Sequence, residues 1–111
     1  MALLDKELVA NRIIAYLAPA VKEILASVNA KHLSKLEEIR LRAHQPLLLK
    51  IGDEDMSMDC SGNITKDINK GYLVTSEDIY RTIASISDNS LYAFAEDIRR
   101  GFITVPGGNR V

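Results

Sequence analysis

The chain has 111 residues, of which 47% are hydrophobic and 26% are charged, and its formal net charge is -1. This composition argues against a disordered chain, and the near-neutral charge argues against the broad positive field of a dedicated nucleic-acid-binding protein. The length is that of one domain, and the single cysteine, Cys60, excludes an intramolecular disulfide and a cluster of thiolate metal ligands.

The first part of the chain is predicted to be helical. Apolar residues recur at helical spacing and predict a helix over residues 5–18, with acidic side chains in its first turn. Pro19 lies near the first turn of a second helix, whose apolar face runs from Val21 to Val28. Asn29 and the Lys31–His32 region are predicted to end this helix.

The middle of the chain has the alternation of polar and apolar residues that is typical of strands. Residues 38–42 and 47–51 predict two strands, of which the second is the more deeply buried. Residues 56–60 alternate again and predict a third short strand, with Cys60 as a small core residue. Residues 72–74 are predicted to form another short strand.

Two helices are predicted in the last third of the chain. Thr75 and Asp78 resemble a capping box, and the apolar helical face that follows runs through about Ser87. Ser90 suits the N-cap of a last helix, which Gly101 ends after a basic last turn. Together these elements predict an α+β fold with N-terminal helices, a small mixed or antiparallel sheet, a helix pair and a C-terminal strand.

The end of the chain is predicted to be a hairpin. Residues 102–105 form a strand, residues 106–109 form a glycine-containing turn, and Arg110 with Val111 begins a returning strand. Because two residues cannot stabilise the second strand of a hairpin, we expect the chain to be a fragment of a longer protein with a truncated C-terminal strand.

Catalytic and metal-binding motifs are missing from the sequence. His32 and His44 lack metal-ligand spacing, and the acidic residues 53–55 with Asp59 lack the spacing of a calcium-binding EF-hand loop. Neither a phosphate loop (GxxxxGK[ST]) nor a nucleophile elbow (GxSxG) occurs in the chain. We therefore assign no catalytic residue and no metal-binding residue.

The arginines are the most informative polar residues. Arg40 and Arg42 are predicted on one face of a strand, Arg99 and Arg100 end a helix, and Arg110 follows a glycine turn. Planar guanidinium groups recognise phosphates and carboxylates. The alternative is that Arg40 and Arg42 lie on a solvated strand face, while Arg99 and Arg100 compensate a helix dipole.

Three segments carry a family resemblance. The sequence EEIRLR at residues 37–42, SLYAF at residues 90–94 and RRGFITVPGG at residues 99–108 resemble the stage III sporulation protein AA family. The resemblance extends over essentially the whole chain. It implies an endospore-formation ATPase that is similar to the motor ATPases of type II and type IV secretion.

The resemblance also implies a domain organisation. Residues 1–111 would be a single N-terminal domain, and the RecA-like motor domain would lie outside this chain. The parent protein would use ATP and Mg²⁺, whereas this chain would hold no cofactor. Its partners would be its own motor domain, neighbouring subunits of a hexameric ring, and the membrane proteins of the stage III sporulation channel complex. No nucleic-acid partner is expected.

The resemblance further implies a location and roles for particular residues. The protein would act in the mother-cell cytoplasm, peripheral to the membrane through its partners. By analogy with secretion motors, Arg99, Arg100 and Arg110 are candidates to contact nucleotide phosphates in the parent protein. Arg40 and Arg42 are candidates for a subunit interface. Leu4 is an interface candidate on the residues alone, because Leu3, Leu4 and Leu8 give the first helix an apolar surface beyond its predicted core face. The alternatives are a free-standing protein–protein interaction module or a small nucleic-acid-binding domain.

Overall fold

The computed structural model describes the backbone of residues 2–88 and 92–105, and the side chains of residues 8–88 and 95–105. Along these residues, three helices are followed by four strands, a 3₁₀ helix, two further helices and a last strand. The helices are α1 (Ala2–Ile14), α2 (Pro19–Leu25), α3 (Ala30–Leu33), α4 (Ser76–Asp88) and α5 (Tyr92–Arg100), with a 3₁₀ helix at Ile68–Lys70. The strands are β1 (Leu36–Arg40), β2 (Leu48–Ile51), β3 (Glu54–Met58), β4 (Ile64–Thr65) and β5 (Phe102–Thr104).

The strands form one sheet in the order β4-β3-β2-β1-β5. Every pairing in it is antiparallel, so the α+β prediction is confirmed and the choice left open between mixed and antiparallel pairing is resolved. Strands β1 to β4 follow one another as consecutive neighbours. Strand β5 instead returns to the free edge of β1, where Glu38 pairs with Thr104 and Arg40 with Phe102.

One face of the sheet forms the floor of the core. Ile39 lies opposite both Leu49 and Ile103, and Leu49 lies opposite Met56, so these four side chains share a face. Three of them are fully buried and Met56 is 8% exposed. They join one apolar cluster with residues of α1, α2, α4 and α5, so these helices and this face of the sheet share a single core.

The opposite face of the sheet is polar along one row. Glu38 lies opposite Lys50, which lies opposite Asp55, so charges of alternating sign face one another across three strands. In the next row Arg40 lies between Phe102 and Leu48, which are both partly exposed. This face therefore combines solvated charge with a few accessible apolar side chains.

The first helix ends four residues earlier than the predicted residue 18. Its last turn tightens into hydrogen bonds of the 3₁₀ type, from Tyr16 N–H to the Ile13 carbonyl and from Leu17 N–H to the Ile14 carbonyl. Ala18 is extended (ψ 148°), as expected for a residue that precedes a proline. The proline ring therefore separates α1 from α2.

The prediction that Asn29 ends the second helix was wrong. Helix α2 ends at Leu25, and Asn29 is the N-cap of the separate one-turn helix α3. Its side-chain oxygen accepts a hydrogen bond from the His32 N–H at 2.9 Å. The short polar side chain thus starts a helix by satisfying one of its free amides.

The prediction that Cys60 is a core residue on a strand was also wrong, because its side chain is exposed. Strand β3 ends at Met58, and Asp59 Oδ1 accepts the N–H groups of Ser61 and Asn63. This side-chain turn reverses the chain at the point where the alternation of residues 56–60 would have continued.

Residues 72–74 form no strand, contrary to the prediction, because their backbone hydrogen bonds are divided between Met58 of β3 and the residues 44–47 before β2, and their ladder contact is one isolated bridge between Leu73 and Pro46. The N-cap of α4 is as predicted: Thr75 Oγ1 accepts from the Asp78 N–H, and Asp78 Oδ2 accepts from the Thr75 N–H, each at 3.0 Å. The predicted N-cap at Ser90, the turn at residues 106–109 and the returning strand at residues 110–111 lie outside the described residues.

Candidate functional site

Four arginines gather at one end of the sheet. Arg40 is the last residue of β1, Arg42 follows it by two positions, and Arg99 and Arg100 form the last turn of α5. The Leu41 N–H donates to the Gly101 carbonyl at 2.9 Å, which fastens the end of β1 to the end of α5. We call these four arginines the arginine end.

Gly101 allows this close approach. It has a φ of 102° and donates its N–H to the carbonyls of Asp97 and Ile98, which ends α5 as predicted. A Cβ atom at Gly101 would lie 2.9 Å from Arg42 Nε and 3.1 Å from Arg42 Cγ. The Arg42 side chain therefore lies across the glycine, in space that any other residue would occupy.

A tight turn holds Arg42 from the other side. The Gln45 N–H donates to the Arg42 carbonyl at 3.1 Å, and within this turn His44 has a φ of 65°. His44 is the only non-glycine residue with a positive φ in the described part of the chain, and its N–H donates to the Val74 carbonyl at 2.7 Å. The segment that carries Arg42 is thus held in a conformation that most side chains avoid.

Two of the four arginines have acidic partners. Arg40 Nε donates to Glu38 Oε2, and this hydrogen bond, together with the charge of Glu38, raises the pKa of Arg40. Arg99 Nη1 donates to Glu96 Oε1 at 2.9 Å. Among the described residues, Arg42 and Arg100 have no hydrogen-bonded or ion-paired acidic partner. These two exposed guanidinium groups are available to bind a carboxylate or a phosphate.

Two surface grooves meet at Arg42. The first, of about 430 Å³, runs between α4 and the end of α5, and we call it the α4–α5 groove. Its apolar floor consists of Leu41, Ile79, Ile83 and Ile98, and Arg42, Arg99 and Arg100 also line it. The second, of about 460 Å³, is lined by Arg40 and Arg42 with Pro46, Leu48 and Ile68.

The predicted site residues fall into three groups. Arg99 and Arg100 are adjacent in the sequence and line the α4–α5 groove together. Arg42, which is predicted from the sequence to belong to an interface, lines the same groove. Arg40 and Arg42 line the second groove together. The prediction that they share one face of a strand was wrong, because β1 ends at Arg40 and Arg42 begins the turn that follows. Arg110 and the side chain of Leu4 lie outside the described residues. The roles of all these residues in phosphate contact or in an interface stay predictions.

The sequence did not indicate the apolar floor of the α4–α5 groove as part of a site. The spacing of Ile79, Ile83 and Ile86 predicts only that they share one apolar face of a helix. In the structure they pack against the core but remain partly exposed in the groove. Spacing identifies a helical face, whereas the exposure of that face depends on where neighbouring helices end.

The described residues meet the requirements of neither a metal site nor a membrane-spanning helix. Within the part of the chain that the structure describes, no group of three His, Cys, Asp or Glu side chains could hold a metal ion. The helices of the described residues include none that is long and apolar enough to span a membrane.

Comparison with known proteins identifies the family. The family model described as "Sporulation stage III, protein AA" matches residues 7–111. Stage III sporulation protein AA of Bacillus subtilis (strain 168) is 26% identical to the chain over 102 residues, which are 91% of this chain and 29% of that protein. The chain thus spans less than a third of this relative's length, and no solved structure matches it. Because the family model covers nearly all of the sequence, the chain belongs to the Sporulation stage III, protein AA family.

Proposed function

We propose that this chain is a non-catalytic N-terminal domain of a longer sporulation ATPase. In this role it would mediate assembly of the ATPase ring and docking to the channel complex between mother cell and forespore. Family membership and the coverage of less than a third of a relative support the proposal. The missing phosphate loop supports it further, because this chain cannot cradle a nucleotide's phosphates in that way.

The arginine end is the observation that carries the proposal. Arg42 and Arg100 are exposed and have no acidic partner among the described residues, and both line the α4–α5 groove. Unpaired guanidinium groups beside an apolar surface are typical of recognition surfaces, where arginine is enriched. The function of this domain would therefore lie in what it binds.

The first experiment reads the source gene beyond the codon for Val111. An open reading frame that reaches a GxxxxGK[ST] segment is the expected result, because it would place a nucleotide-binding domain after this one. A stop codon directly after Val111 would contradict the proposal. It would leave the free-standing interaction module as the function of the chain.

The second experiment tests the arginines in the full-length protein. The double variant Arg42→Gln/Arg100→Gln is expected to lower the fraction of assembled rings, measured by analytical ultracentrifugation with and without ATP. Arg12→Gln is the matched control, because Arg12 is an exposed arginine on α1 away from both grooves. Unchanged assembly and unchanged binding to channel proteins in the double variant would contradict a role of the arginine end in docking.

The same full-length protein separates docking from phosphate contact. If Arg99, Arg100 and Arg110 contact nucleotide phosphates, their glutamine variants should raise the KM for ATP or lower ATP turnover even at protein concentrations where the rings are fully assembled. Unchanged turnover in assembled rings would remove the phosphate role and leave the docking role in place.

A further inference from the structure

The α4–α5 groove combines two kinds of surface that a simple anion site does not need. Ile79 and Ile83 lie one helical turn apart on α4, with about 6 Å between them along the helix, and they form part of an apolar floor. The guanidinium groups of Arg42 and Arg100 stand beside this floor. A free phosphate would use the arginines and leave the floor exposed to water.

An acidic amphipathic helix fits both surfaces. Its apolar side chains at positions i and i+3 or i+4 would lie along the row formed by Ile79 and Ile83, as in other helix-in-groove complexes. An aspartate or glutamate beside that row would reach Arg42 and Arg100. The groove volume of about 430 Å³ is enough for a few side chains and falls within the range of about 300–1,000 Å³ seen for ligand pockets.

We infer that the α4–α5 groove binds an acidic amphipathic helix of a partner protein, with its apolar face on Ile79 and Ile83 and a carboxylate on Arg42 and Arg100. The inference rests on the proposed docking function and names the chemistry of the docked segment. Charge complementarity selects the acidic partner, because Arg99 is already paired with Glu96 while the other two arginines are unpaired in the described structure.

The local backbone prepares Arg42 for this contact. Gly101 leaves the space across which the arginine lies, and the turn with His44 at a φ of 65° fixes the chain on the other side. Pre-positioning a long side chain reduces the conformational entropy that binding would otherwise cost. Residues with an unfavourable φ, such as His44, occur frequently beside binding sites.

The test uses the 111-residue chain and a defined probe. The probe is a fluorescein-labelled peptide of about 18 residues, long enough to populate a helix, with leucines at a spacing of three and four and glutamates beside them. The matched probe replaces each glutamate by glutamine. We expect the acidic peptide to bind more tightly in anisotropy titrations, and we expect it to shift the NMR signals of Ile79 and Ile83.

Variants of the chain locate the contact. Arg42→Gln and Arg100→Gln should each weaken binding of the acidic peptide by about threefold, the size expected for an exposed ion pair, whereas Arg12→Gln should not. Arg100→Glu should weaken it further, and a peptide with lysines in place of the glutamates should regain affinity for that variant. Each variant's NMR spectrum reports whether the fold is intact.

Several outcomes would overturn the inference. They are equal affinity for the acidic and glutamine peptides, unchanged affinity in both arginine variants, and NMR shifts confined to residues outside the groove. Displacement of the peptide by ATP alone, or binding of anionic lipid vesicles in its place, would assign the arginines to a different ligand and would also overturn it. A stop codon after Val111 would instead remove the ATPase assignment while leaving peptide binding to be measured unchanged.

Discussion

The start of α4 and the arginine end both concentrate polar side chains, but they direct them to different partners. At the start of α4, Asp78 is 7% exposed and accepts hydrogen bonds from the Tyr72 hydroxyl and the Thr75 N–H. Nearby, the fully buried Thr82 hydroxyl accepts from the Ala18 N–H and donates to the Asp78 carbonyl. At the arginine end, Arg42 and Arg100 remain exposed and have no acidic partner within the described residues.

This difference assigns a stabilising role to the polar residues at the start of α4 and a binding role to the arginine end. Asp78 and Thr82 are buried, so a substitution that removes one of them or one of their hydrogen-bond partners should lower the free energy of unfolding. At the arginine end the charges are solvated, so a substitution should leave stability nearly unchanged while altering what the surface binds. Measurements at the two regions can therefore test whether this division is correct.

The largest loss of stability is expected for Asp78→Ala. The substitution removes the carboxylate that accepts from the Thr75 N–H in the capping box and leaves the Tyr72 hydroxyl without its acceptor, which should lower the free energy of unfolding by about 3 kcal/mol. Urea denaturation followed by circular dichroism measures it. Glu77→Ala is the control, because Glu77 is exposed in the same turn and pairs only with Arg81 among the described residues. Equal losses in both variants would contradict the special role of Asp78.

A smaller loss of stability is expected for Gly101→Ala, a substitution next to Arg42 at the arginine end. An alanine at this position would have to adopt an unfavourable φ of 102°, and its methyl group would contact the Arg42 side chain. The free energy of unfolding should therefore fall by about 2 kcal/mol. Gly52→Ala is the control, because Gly52 also has a positive φ but has open space around it, and about 1 kcal/mol is expected. If the two variants lose the same amount, Arg42 does not crowd Gly101.

Alkaline pH should weaken the Asp78 region through Tyr72. Burial and then the hydrogen bond to Asp78 raise the pKa of Tyr72 from 10.0 to about 12. Because the neutral phenol is favoured in the folded state, this contribution is complete below pH 10 and is lost as the pH rises toward 12. Urea denaturation at a series of pH values should show a steeper alkaline decline for the unsubstituted chain than for Tyr72→Phe. Parallel declines would contradict the prediction.

The smallest effect on stability is expected for Arg100→Gln. The arginine is exposed in the last turn of α5, so only its favourable interaction with the helix dipole is lost, about 0.5 kcal/mol or less. Thermal unfolding monitored by circular dichroism measures the change, with Arg12→Gln as the comparison. A loss above about 2 kcal/mol would mean that Arg100 has a structural role and would contradict the division between the two regions.

Much of the fold could be predicted because local rules and tertiary packing agree in those segments. The capping box at Thr75 and Asp78 and the glycine end of α5 each depend on neighbours within a few residues. The strand β5 pairs with the distant β1, but its run of apolar and β-branched residues already favours a strand. Cys60 was misplaced because the hydrogen bonds of Asp59 turn the chain where alternation would continue. Asn29 was misread because it caps a helix of only four residues, which has too little periodicity to detect.

The candidate site was less predictable because it depends on contacts between distant segments. Arg42 and Arg100 are far apart in the sequence, and they share a groove only because β5 returns to pair with β1. Ile79 is likewise partly exposed in a groove that it shares with residues of distant segments. Arginine positions can be read from a sequence, but the pairing of Arg40 and Arg99 with glutamates, and the absence of such pairing at Arg42, cannot.

The strand order also determines in which order the strands can pair while the chain is being synthesised. Strands β1 to β4 pair with sequence neighbours, so this meander can form while the later residues are still being added by the ribosome. Strand β1 must nevertheless keep one edge open until Phe102–Thr104 emerges. The groove that we assign to a partner is therefore completed last, and a nascent chain can present it only after its own sheet is closed.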